Sequence, residues 1–146
     1  MWLADEAATE NAGRLLSKVI ATGDVVALSG PLGAGKTGFA RGLIEGLGFE
    51  GEVPSPSFGL VIPYAFPDVR VPVWHIDLYR LDEMAEVDEL GLDDAREDNA
   101  LVIEWAERMG SQLWEDALLI DLAVEGTGRR LTARVPPSWK GRWPIL

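Results

Sequence analysis

The stretch Ser29-Gly-Pro-Leu-Gly-Ala-Gly-Lys-Thr-Gly-Phe39 constrains this chain more than any other part of it. Gly30 to Thr37 satisfy the spacing G-x-x-x-x-G-K-[ST] of a phosphate-binding loop. The run "DVVALSG" leading into it reads as a short buried strand, and "KTGFARGLIEGLG" as a helix closed by Gly48. A strand before and a helix after are the context that separates such a loop from a chance glycine-rich turn. Glycines permit backbone angles that turn successive amide N–H groups inward around an anion. The helix starting near Lys36 adds the positive end of its dipole. Lys36 supplies a mobile point charge for β and γ phosphates, and the Thr37 hydroxyl suits a magnesium shell. The candidate phosphate-binding residues are Pro31, Leu32, Gly33, Ala34, Gly35, Lys36, Thr37 and Gly38.

The rest of the chain supplies the elements such a loop needs. "TENAGRLLSKVIATG" places Ala12, Leu15, Leu16, Val19 and Ile20 at helical spacing, with Thr9 as cap and Gly23 as stop. "FGLVIPY" reads as an edge strand because of Pro63. "VRVPVWHIDLY" is a strand ending near Asp77, and "ALVIEW" a buried strand ending on Glu104. Between them lies an acidic, mostly helical stretch interrupted at Gly91. "DALLIDLAVEGTGRRLTARV" reads as a hairpin around "EGTG", and the tail "PPSWKGRWPIL" as local packing. The expected fold is α/β: a mostly parallel central sheet, an antiparallel C-terminal hairpin and helices on both faces, in one domain over 1–146.

Hydrolysis of a nucleoside triphosphate needs a carboxylate near the metal and a group that positions water. Asp77 and Glu104 each break an apolar run at a strand end, where the carboxyl edge of a parallel sheet presents its ligands. With Lys36 they are the candidate catalytic set, and with Thr37 the candidate metal set. His75, the only histidine, shares a strand face with Asp77 and reads either as an orienting group or as a hydrogen-bonded core residue. Ser55 and Ser57 of "SPSF" occupy a loop placed like a γ-phosphate-sensing switch. Arg41, Arg80 and Arg108 are candidate transition-state cations. No Asn-Lys-x-Asp follows any of the three lysines, so the usual guanine-reading element is missing and ATP is favoured.

Composition sets the outer limits. Without cysteine there is no disulfide, thiolate metal site or cysteine nucleophile. No apolar run approaches the ~20 residues that cross a bilayer, and the acidic start lacks signal-peptide character, so a cytoplasmic protein without membrane contact is expected. The formal net charge of -11 argues against direct RNA or DNA binding and for a basic protein partner.

Four stretches, "GPLGAGKTGFARGL", "SPSFGLVIPY", "HIDLYRL" and "LVIEWAE", together resemble the TsaE family, formerly YjeE, in order and spacing. That resemblance implies an ATPase of bacterial tRNA threonylcarbamoyladenosine (t6A) biosynthesis, using ATP and Mg2+. It implies TsaD and TsaB as partners, with tRNA met only through them. It places Gly33 to Thr37 on the phosphates, Asp77 at the catalytic centre, Glu104 at the metal and Trp105 close to the nucleotide. Thr9, Arg108 and Arg130 are assigned to the adenine side. Gly38, Gly59 and Ala106 depart from the commoner family residues. Two other readings of the residues remain: a small-molecule kinase, against which the missing arginine-rich lid counts, and an adaptor whose bound nucleotide only stabilises a docking surface.

Overall fold

The computed structural model describes residues 1–56, 60–81 and 84–143. Among these described residues, seven strands form a single sheet: β1 (Trp2–Leu3), β2 (Val25–Ser29), β3 (Val61–Tyr64), β4 (Val73–Asp77), β5 (Ala100–Glu104), β6 (Leu118–Glu125) and β7 (Gly128–Arg134). Their spatial order is β1-β7-β6-β2-β5-β4-β3. The centre is parallel, with β2 pairing to β5 and β6, and β5 to β4. Both flanks are antiparallel, through β3 on one side and the β6–β7 hairpin plus β1 on the other. Pro63 lies in the edge strand β3, where a missing N–H costs no ladder bond.

The central strands are apolar on both faces because both faces are covered. On β2, Val26 and Leu28 face one core cluster while Val25 and Ala27 face the other. On β5, Ala100 and Val102 divide from Leu101 and Ile103 in the same way. The first face is covered by α1 (Glu6–Ser17) and α2 (Lys36–Gly46). The second is covered by α3 (Met84–Asp88), α4 (Leu92–Asp98) and the 3₁₀ segment Ala106–Gln112.

Three local readings are corrected. Helix α1 is capped by Asp5, whose carboxylate accepts from the Ala8 N–H at 2.9 Å, not by Thr9, which lies inside the first turn. That helix ends at Ser17, well before Gly23. The tail does more than pack locally. Trp139 is buried in the α1–α2 core, and Arg142 donates to both carboxylate oxygens of Asp24 at 2.6 and 3.0 Å.

Candidate functional site

The loop between β2 and α2 sits at the carboxyl edge of the parallel centre, and its shape follows from its glycines. Gly30 has φ +136, and a Cβ there would stand 2.2 Å from the Leu122 carbonyl oxygen of β6. Gly35 has φ +106 and starts α2, so the first-turn amides of that helix face the cleft. The loop is pinned from two sides. Glu107 accepts from the Gly30 N–H at 3.3 Å, and Arg129 of the hairpin donates to the Gly33 carbonyl at 3.0 Å.

Lys36 donates to the carbonyls of Gly30 and Pro31 at 2.5 and 2.9 Å, with its ammonium 4.0 Å from the centre of the Trp105 ring. Burial pushes its pKa below the ordinary lysine value, and the carboxylates of Glu107, Glu104, Asp77 and Asp121 oppose that shift. Those four acids gather at the carboxyl edge of the parallel centre: Asp77 ending β4 is in register with Glu104 ending β5, Asp121 within β6 is in register with Ser29 ending β2, and Glu107 follows on the 3₁₀ segment after β5. Ser29 donates to Asp121 at 2.9 Å. Thr37 on the first turn of α2 donates its hydroxyl hydrogen to Glu104 Oε1 at 2.7 Å. Glu104 Oε2 lies 2.6 Å from His75 Nε2. Asp77 accepts from the Tyr79 N–H at 2.8 Å.

Around this edge lies a cleft of about 810 Å3, a volume suited to a nucleotide. Its floor is Gly33, Gly35, Lys36, Thr37 and Gly38, and its acidic wall is Asp77 and Glu104. Trp105, Tyr79, Arg80, Ser55, Asp5, Glu6, Thr9, Arg41, Thr127 and Arg129 complete its lining. Leu32 stands at the rim, largely exposed, while Ala34 is buried beneath the loop and Pro31 lines no part of the cleft. Trp105 has φ 58, a left-handed conformation that costs a bulky residue strain, and it brings the indole beside Lys36.

The sequence-based set is therefore largely brought together, with exceptions on the base side. Arg108 turns away to donate to the Leu81 carbonyl at 3.0 Å and rests 5.8 Å from the Tyr79 ring. Arg130 points outward and pairs with Glu125. The hairpin arginine in the cleft is its neighbour Arg129, because alternate residues of a strand face opposite sides. Alternation puts the two arginines on opposite faces, and the pairing of β7 with β6 decides which of them meets the cleft. Glu107 was also missed; it stands three residues after Glu104, in the first turn of the 3₁₀ segment that follows β5. Ser57 lies outside the described residues, as do Phe58 and Gly59.

Parallel centre, loop, helix and acidic edge define the phosphate-loop class of α/β proteins. Within that class the comparisons are specific. A family model described as "Threonylcarbamoyl adenosine biosynthesis protein TsaE" matches residues 3–132, and the chain belongs to the TsaE family. It is 46% identical over 136 residues to the tRNA threonylcarbamoyladenosine biosynthesis protein TsaE of Streptomyces coelicolor, covering 90% of each chain. The Treponema pallidum protein of the same name is 37% identical over 119 residues, covering 81% of this chain and 86% of that one. Among solved structures, YdiB of Bacillus subtilis superposes with a TM-score of 0.80 at 28% identity, covering 97% of this chain and 88% of that one. Family membership places the chain in t6A biosynthesis. Among the described residues, no helix is long and apolar enough to cross a membrane.

Proposed function

We propose that this cleft binds ATP with Mg2+ and hydrolyses it, and that the cycle serves t6A synthesis through docking on TsaD and TsaB. The observation that carries this reading is the contact of Thr37 Oγ1 with Glu104 Oε1 at 2.7 Å, beside Lys36 and Asp77. A hydroxyl and two carboxylates are hard oxygen donors of the kind Mg2+ takes, and Mg2+ needs only one or two carboxylates when phosphates complete its shell. Thr37, Glu104 and Asp77 would hold it, and once bound it would neutralise charge developing on the phosphates.

The protein's own groups have separable tasks. Amides of the loop and of the first turn of α2 bind phosphate oxygens, and Lys36 leaves two carbonyls for a stronger anionic partner. Asp77 lines the cleft wall, and in this reading it orients an attacking water. Arg129, Thr127 and Thr9, which line the cleft, form the base side in place of Arg108 and Arg130. Water is the acceptor in this reading, since no arginine-rich lid is present among the described residues.

The test is phosphate release from ATP by the full chain, alone and with reconstituted TsaD–TsaB. Steady release raised by the partners is the expected result. Phosphorylation of a metabolite instead would identify a kinase. Binding without turnover under every partner condition would leave only an adaptor role.

A further inference from the structure

His75 is fully buried on β4, two residues before Asp77 and on the same face. Its strand neighbours on that register are Ile62 of β3 and Val102 of β5, both apolar. An imidazole in such surroundings costs free energy unless it is hydrogen bonded. Its Nδ1 has no partner among the described residues. The single contact that accounts for a histidine here is Nε2 to Glu104 Oε2 at 2.6 Å. An ionised carboxylate only accepts, so the hydrogen in that contact sits on Nε2.

Glu104 is thereby held at both oxygens, by the Thr37 hydroxyl on Oε1 and by His75 on Oε2. Two fixed donors set both the rotamer and the plane of the carboxylate, which one donor alone would leave free to swing. His75 does not line the cleft, so it touches neither nucleotide nor water there. We infer that His75 is a positioning residue, which fixes the Glu104 carboxylate against Thr37 and so pre-forms the oxygen pair that takes the divalent cation. This rests on the ATP–magnesium reading of the cleft. Partners that orient a metal-ligating group in this way are worth about 10- to 100-fold in metal affinity.

The chain has one histidine, so 15N-histidine labelling of the full protein gives a single imidazole spectrum. The expected spectrum is the Nε2–H tautomer with a slowly exchanging, downfield Nε2–H signal that is lost in Glu104→Ala. Calorimetric titration with ATP, in Mg2+ and in EDTA, then reads the role. In His75→Leu the gain in ATP affinity due to Mg2+ should fall by about 10- to 100-fold, with affinity in EDTA unchanged. His75→Gln, which keeps an N–H donor, should recover part of that gain. An Nδ1–H tautomer overturns the inference. So does an equal fall in affinity with and without Mg2+, which is what a merely structural histidine would give. Variants that keep the full gain of a magnesium-responsive parent overturn this inference alone. A parental protein with no magnesium-dependent ATP binding overturns it together with the proposed function.

Discussion

Helices α1 and α2 cross so closely that Gly42→Ala is a direct test of how the phosphate loop is supported. A Cβ at Gly42 would lie 1.9 Å from the Glu10 carbonyl oxygen, with the Glu10 carbonyl carbon and Cα at 2.6 and 2.8 Å. Ordinary contact starts at 3.4 Å, so the two backbones would have to part by about 1.5 Å at that point. No rotamer change can relieve a clash with main chain. The cost therefore sits at the upper end of the overpacking range, ~3 kcal/mol. Alanine's better helix propensity returns ~1 kcal/mol, leaving a net loss of about 2 kcal/mol, or a Tm lower by roughly 4–8 °C in a domain of this size. Gly38, on the same helix, is the control. Its nearest neighbours are side-chain atoms at 3.9–4.0 Å, so Gly38→Ala should raise Tm by about 2–4 °C. Thermal melts followed by circular dichroism measure both. A Gly42→Ala protein melting at or above the parental temperature would refute the argument from close approach.

The other expectations concern the cleft and the tail. Lys36→Ala should abolish tight ATP binding in calorimetry, since among the described residues no other ammonium lines the cleft. Asp77→Ala and Glu104→Ala should each lower turnover more than ATP affinity; equal losses in both would remove them from the catalytic step. Arg129→Ala should weaken ATP binding by about tenfold, whereas Arg130→Ala, outside the cleft and paired with Glu125, should leave it unchanged. Trp139→Ala should cost ~3–5 kcal/mol in urea denaturation, because the ring is buried in the α1–α2 core.

The parts of this fold visible in the sequence were those governed by local rules. The loop spacing, the β2 and β5 apolar runs, the edge position of Pro63 and the helix break at Gly91 all depend on residues close in the chain. Asp77 and Glu104 were visible for the same reason: a charge ending a buried strand is a local signal. Contacts that depend on register were not. Thr9 satisfies cap chemistry as well as Asp5 does, and only the path of β1 into α1 decides between them. Arg129 and Arg130 differ by one step of strand alternation, which the hairpin turn fixes and composition does not. The bond from Glu107 to the Gly30 amide spans 77 residues and has no sequence signature.

Strand order has a temporal side as well. β2 lies near the start of the chain, yet both of its neighbours, β5 and β6, are made long after it. A nascent chain that ends before β6 already contains every residue from Gly30 to Thr37, but it lacks the Leu122 carbonyl packed on Gly30 and the Arg129 guanidinium that holds Gly33. On the ribosome the phosphate-loop cleft is thus encoded early and assembled late. Such distant pairing slows folding, and the cleft lining is complete only once synthesis has passed the hairpin.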